Sequence, residues 1–125
     1  MLEYFNCHVT IVNKTAFSLS LKSTPVNTHG DYKPKPPKII PAGTTVKFSL
    51  IHTNWSPFGT DGSCQYQCND GKTNPVLKFS YSCPSGNGLN ATDVKILSGS
   101  GIQTLMIPNP LPQSGHPVHV QFTIS

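Results

Sequence analysis

The side chains best suited to metal or redox chemistry in this 125-residue chain are four cysteines and five histidines. Cys64 and Cys68 stand in the stretch GTDGSCQYQCNDG with three residues between them. Common zinc and redox sites use a two-residue spacer instead. On an extended strand the two thiols share a face about 13 Å apart, too far to grip one ion or to bond to each other. His116 and His119 are three residues apart, so a strand sends them to opposite faces. The five acidic residues are scattered singly, and no nucleophile elbow, HExxH motif or phosphate loop is present. GTDG precedes strand-like sequence, so no helix N-terminus follows it to hold a phosphate. These residues therefore predict no enzyme, no metal and no cofactor; a small hydrolase has no supporting constellation.

Composition limits the partners. The formal charge is +4, and all nine basic residues are lysines. Nucleic-acid readers lean on arginine for bidentate contacts, so nucleic acid is not expected as a partner. Charged residues are 11% of the chain, well below the usual quarter. Low charge with many Ser, Thr, Asn and Pro is common in secreted β-proteins. The opening MLEYFNCHV lacks the apolar core of a signal peptide. Sequons stand at Asn13, Asn54 and Asn90. With an even number of cysteines, these features set the expectation of a secreted, disulfide-bonded protein. Four reduced, buried thiols are the alternative.

The elements that must position these residues are strands. Apolar residues alternate with polar ones in HVTIV (8–12), AFSLSLK (16–22), TVKFSLI (45–51), VLKFSYSC (76–83), DVKIL (93–97), IQTLMI (102–107) and VHVQFTI (118–124). Twelve prolines and several Gly/Asn/Ser clusters punctuate them. No window carries a helical stripe. The pattern predicts a single all-β domain over residues 1–125, an antiparallel β-sandwich without substantial helix. Residues 23–38 form the longest loop-like segment, either a binding loop or a plain exposed connection.

A strand over 63–69, then NDG, then the strand 76–83 reads as a hairpin. It places Cys64, Tyr66 and Cys68 on one face. Antiparallel pairing across the turn brings Cys64 toward Cys83, which predicts Cys64–Cys83 and Cys7–Cys68 bridges. The swapped pairings, 7–64 and 68–83, are the alternative.

From Val9 to Ile96 the motifs fall in a characteristic order: IVNKT, an alternating strand, HG, PPKIIPAGTTVKFSL, Gly59-x-x-Gly62-x-x-x-Tyr66-x-x-x-Asp70-Gly71, FSYSCP, and Asn90-x-x-x-Val94-x-Ile96. This order resembles the actinoporin-like β-sandwich superfamily, which includes the actinoporin pore-forming toxins and the smaller aegerolysins. The length and SCPSGNGLN resemble aegerolysins, and the glycine–tyrosine–aspartate spacing resembles actinoporins. The resemblance implies a two-sheet sandwich that binds membrane lipid head groups, with cytolytic biology. Carried over from the actinoporin headgroup pocket, the site residues are Ser82 and Pro84, His29 (a serine in actinoporins) and Ser63.

The chain also departs from its apparent relatives. The loop after Cys83 has no aromatic residue, and Ser85 stands where aegerolysins carry a tryptophan. Interfacial affinity then falls to Trp55, Phe58 and Tyr32. Trp55 with Phe58 is either a membrane dip or a loop anchor folded onto the sandwich. Tyr32, Tyr66 and Tyr81 are candidate rings for a cation cage, with core packing the alternative for the last two. Lys33, Lys35 and Lys38 are either a solvated loop or an approach to anionic lipid. The expected function is membrane-lipid-headgroup binding, with a protein partner for any pore assembly. A secreted, non-lytic interaction protein, such as a lectin-like glycan binder, is the competing expectation.

Overall fold

A computed structural model of the chain describes residues 5–53, 56–85, 88–108 and 117–125. Period-two alternation decides the architecture. In Cys7–Asn13 (β1), residues Cys7, Val9 and Ile11 point inward while His8, Thr10 and Val12 point outward. The same alternation runs through Thr45–Ile51 (β6), Thr60–Cys68 (β7), Val76–Cys83 (β8) and Val118–Ile124 (β11). Four short strands lie between β1 and β6: Leu19–Leu21 (β2), Val26–His29 (β3), Asp31–Tyr32 (β4) and Ile39–Ile40 (β5). Ala91–Ser98 (β9) and Thr104–Ile107 (β10) lie at sheet edges.

The strands form two sheets. One is five-stranded, in the order β10-β11-β1-β6-β4; the other is six-stranded, in the order β5-β2-β7-β8-β9, with β3 also paired to β7. All pairings are antiparallel except β1 with β11. The inward faces enclose one apolar core, where Phe79 meets Phe122 across the sheets at 5.1 Å between ring centroids. Among the described residues there is no helix. This is the β-sandwich read from the sequence.

Two local readings change. The segment 23–38 is not a plain loop, since it contains β3 and β4. Phe17 does not join Leu19 on the inner face: it is exposed, whereas Leu19 is fully buried. The cause is Asn13, a buried side chain that organises the β1–β2 connection. Its Nδ2 donates to the carbonyls of Phe17 (2.9 Å) and Pro41 (3.1 Å), and its Oδ1 accepts from the Thr15 amide and hydroxyl. Asn13 is thus committed to the core, and Asn90 is also buried, so neither sequon is presented for glycosylation in the folded chain.

The disulfides expected from the sequence are not formed; all four cysteines are free and buried. Strand register is the reason. The connection from β7 to β8 is longer than a tight turn, so Cys64 faces Phe79 and it is Thr60 that faces Cys83. Cys64 and Cys83 are four positions out of register, about 13 Å along the strand. Cys7 meets the Thr60 end of β7, where its Sγ lies 3.3 Å from Thr60 Oγ1. That is eight positions from Cys68, roughly 26 Å. The swapped pairings carry the same offsets, and a bridge needs Cα atoms within about 7 Å. Without disulfides, the cysteine count no longer argues for an oxidising compartment.

Burial pushes the Cys7 and Cys64 thiols up to about 12 and the Cys83 thiol up to about 11, and raises Cys68 as well. These are core groups, with too little thiolate at neutral pH to act as nucleophiles. Ellman titration is expected to count four thiols per chain in denaturant and to react with the native protein only at the rate of unfolding. Reductant should leave the melting temperature unchanged.

Candidate functional site

At the end of the sandwich where β7 begins and β8 ends, a cleft of 170 Å³ opens between strand ends and loops. Its lining includes His29, Phe58, Gly59, Asp61, Ser82 and Pro84. Register builds its floor. Antiparallel pairing sets His29 opposite Asp61 and Asp61 opposite Ser82, so three polar side chains make a row across β3, β7 and β8.

The loop between β6 and β7 supplies the wall. The His52 backbone N–H donates to Asn6 Oδ1 (2.7 Å) and its ring Nε2 lies 3.1 Å from the Ser56 carbonyl. The Phe58 amide donates to Ser56 Oγ (3.2 Å), and Ser85 Oγ donates to the Pro57 carbonyl (2.6 Å). Phe58 then stacks on the His29 ring at 4.4 Å and 17°, yet stays 54% exposed at the mouth. Gly59 is required by close approach: a Cβ there would run into the Cys83 carbonyl and lie 2.9 Å from Pro84 Cα. Beyond Ser85, Gly88 packs against the Pro84 ring and Leu89 is exposed.

The position of His29 depends on Tyr32. The chain crosses from the six-stranded sheet to the five-stranded one at Gly30, and the Tyr32 hydroxyl reaches back into the sheet it has left. It donates to the Val26 carbonyl at 2.6 Å and lies 2.7 Å from the Tyr81 hydroxyl. With Tyr81 donating to Tyr32, both protons are used. Gly62 leaves the room this needs, since a Cβ there would lie 2.6 Å from the Val26 carbonyl oxygen and 2.9 Å from the Tyr32 hydroxyl.

Four residues carried over by resemblance or named for interfacial contact, His29, Phe58, Ser82 and Pro84, thus line one cleft. Tyr32 and Ser63 do not line it. Tyr32 is the inter-sheet fastening just described, and Ser63 lies on the outer face of β7 opposite Val26 and Ser80. Tyr66 and Tyr81 are core residues, the Tyr66 hydroxyl donating to the Pro37 carbonyl at 2.6 Å. Trp55 and His116 lie outside the described residues. The sequence reading missed Asp61, Thr60 and Ser85. No local signal marked Asp61, since only the observed register of β7 with β8 sets it opposite Ser82.

Chemically the cleft offers one carboxylate, an aromatic face and hydroxyls. It is not a serine–histidine pair. The strand between them holds Ser82 and His29 about 10 Å apart along the sheet, with the carboxylate in the middle. A triad needs the imidazole in that central place. Among the described residues no group of three His, Cys, Asp or Glu side chains could hold a metal ion.

Comparison with solved structures gives the fold the same standing. RahU, solved in complex with a Tris molecule, superposes with a TM-score of 0.77 at 16% identity, over 99% of this chain and 96% of its own. The lipid-binding protein Nakanori gives 0.75 at 13% identity, over 100% of this chain and 72% of its own. IP-1A from Alcaligenes faecalis gives 0.75 at 12%, over 98% and 92%. This chain shares the β-sandwich fold of these proteins. No protein-family model matches the chain, and no curated protein sequence matches it.

The tyrosines and thiols give the fold a pH limit. Burial raises Tyr32, Tyr66 and Tyr81 as well as the four cysteines. The unfolded chain releases these protons first, so stability is full below about pH 8.5 and falls as pH rises through the ordinary thiol and phenol range. Each such group removes about 1.4 kcal/mol per pH unit once it titrates in the unfolded state alone. Urea midpoints measured from pH 7 to 11 are expected to fall steeply above pH 9. Tyr81→Phe should lower stability at pH 7 by about 0.5–1.5 kcal/mol while making that alkaline fall shallower.

Proposed function

We propose that this protein binds the polar head group of a membrane lipid in the cleft formed by His29, Phe58, Asp61 and Ser82. The observation that supports this most directly is the convergence of these residues around an exposed Phe58. Ammonium-bearing head groups fit the chemistry best. The Asp61 carboxylate complements a cation, the Phe58 ring offers its face to one, and no lysine lines the cleft among the described residues. Ser82 and nearby backbone groups can donate to a phosphate. The exposed Phe58 at the mouth can enter the acyl boundary while the head group sits beside it. The shared fold with a lipid-binding protein supports the same reading.

Permeabilisation, in this reading, belongs to a complex: the chain supplies lipid recognition and a protein partner supplies the pore, as the resemblance to aegerolysins suggests. The extracellular setting is part of the proposal and rests on the low charge content. A non-lytic, glycan-binding role is the second reading, favoured by the aromatic-free loop after Cys83.

Co-sedimentation with vesicles of phosphatidylcholine, of sphingomyelin with cholesterol, and of ceramide phosphoethanolamine with cholesterol tests this. Saturable binding to at least one composition is expected. Asp61→Asn and Phe58→Ala should each weaken it about 3- to 30-fold, the range of one cation–π or charge contact. Trp55 is the only tryptophan, so its emission follows transfer into lipid. Saturable glycan binding with no binding to any vesicle would sink the lipid reading.

A further inference from the structure

The outer face of the five-stranded sheet carries a second concave surface, on a different sheet from the floor of the lipid cleft. It is a groove of 450 Å³, within the range of ligand sites, and His8, Lys47, Ser49, Ile107, His119 and Gln121 line it.

Register assembles it. Because β1 turns Cys7 and Val9 inward, His8 and Thr10 face out. The parallel pairing with β11 sets His119 beside His8 and Gln121 beside Thr10. The antiparallel pairing with β6 sets Ser49 and Lys47 on their other side. Two rows result, His119–His8–Ser49 and Gln121–Thr10–Lys47.

The first row is locked. His8 Nδ1 lies 2.8 Å from Ser49 Oγ, and the His8 ring stacks on His119 at 4.8 Å and 24°. Gln121 is steadied by its own contact, Nε2 donating to Thr123 Oγ1 at 3.3 Å.

Among the described residues, the charged side chain lining the groove beside this pair is a lysine. Lys47 on β6 faces the groove, and β10 contributes the apolar Ile107, opposite Gln121. Beyond β6, β4 carries Asp31, which stands opposite Ile51, further along the strand than Ser49, and accepts from Thr53 Oγ1 at 3.3 Å. The residue after β4, Lys33, donates its backbone N–H to the Ser49 carbonyl. Among the described residues no carboxylate lines the groove.

We propose that this groove binds a phosphate-class oxyanion, and that binding tightens as the stacked imidazoles take up protons. Lys47 supplies a permanent cation, while Thr10, Ser49 and Gln121 supply neutral polar contacts. Two protonated rings held 4.8 Å apart repel each other, and an anion beside them offsets that repulsion. Proton uptake and anion binding are therefore linked, and imidazoles change charge between pH 5 and 8. This site does not depend on the lipid cleft or on what that cleft binds.

Sulfate is the probe, because its charge is constant over this pH range. Calorimetric titration of the full chain is expected to show saturable binding that is about tenfold tighter at pH 5.5 than at pH 7.5. Lys47→Gln should weaken binding at both pH values. His119→Gln should flatten the pH dependence, and His8→Gln with His119→Gln should abolish it, while the circular dichroism spectrum and melting temperature of His119→Gln stay near those of the parent. Asp61→Asn, in the other cleft, should leave sulfate binding intact, so failure of the lipid proposal would not affect this result. Inorganic phosphate, and the binding that phosphatidic acid adds to phosphatidylcholine vesicles, both measured on Asp61→Asn so that the other cleft does not contribute, separate the two sources of such an anion. Binding to both indicates a lipid head group and binding to inorganic phosphate alone a soluble anion; either supports the site. Absence of saturable binding at pH 5.5, or an unaltered pH profile in His119→Gln, would overturn the proposal.

Discussion

The hydroxyl of Tyr32 sits where the chain changes sheets, and the geometry of the cleft follows from how that one group is satisfied. β3 and β4 are short, with too few ladder bonds to hold their own positions. The hydroxyl's bonds to Val26 and Tyr81 fix both strands against the long β7–β8 pair. A buried polar group in this place must be paired, because leaving it unpaired costs about 1–3 kcal/mol. The pairing constrains its neighbours. Gly62 has to lack a side chain, Tyr81 has to point inward, and His29 has to stand opposite Asp61. The cleft is therefore carried by the core, although its walls are loops.

This arrangement explains which parts of the structure the sequence disclosed. The long strands were legible because each half-buried face repeats every second residue, as in Leu77, Phe79 and Tyr81. β3 and β4 were not, because VNTH and DY have no apolar alternation and lie among prolines; only pairing with β7 and β6 makes them strands. The hairpin was legible but its register was not. NDG signalled a turn, yet Asp70 accepts from the amides of both Lys72 and Asn74, and this wider turn sets Cys64 against Phe79. The Cys64–Cys83 expectation failed on that shift, and the Cys7–Cys68 one because Cys7 meets the Thr60 end of β7.

The candidate site shows the same division. His29, Phe58, Ser82 and Pro84 were reachable from motif order and composition, since each adjoins a recognisable punctuation of the chain. Tyr32 was misread for a physical reason: an aromatic with a hydroxyl in a lysine-rich segment looks like a surface binder, and nothing local shows that it turns inward. Asp61 and the pair His8–His119 needed knowledge of which strands are neighbours. His8 and His119 are at opposite ends of the sequence and meet only because β1 and β11 run in parallel.

That parallel pairing has a consequence for how the molecule comes into being. β1 is an interior strand of its sheet, held by β6 on one side and β11 on the other. A nascent chain can zip β7, β8 and β9 together as each emerges, since those partners are close in sequence. The first strand has one side open until the final residues of β11 are available. Most of the chain must therefore be made while Cys7, Val9 and Ile11 remain only half enclosed. Chains dominated by such distant contacts fold slowly. Protection from solvent exchange would come late for the β1 amides that face β11, after those that face β6, and an interruption just short of β11 would leave an unsatisfied β-edge open to another chain.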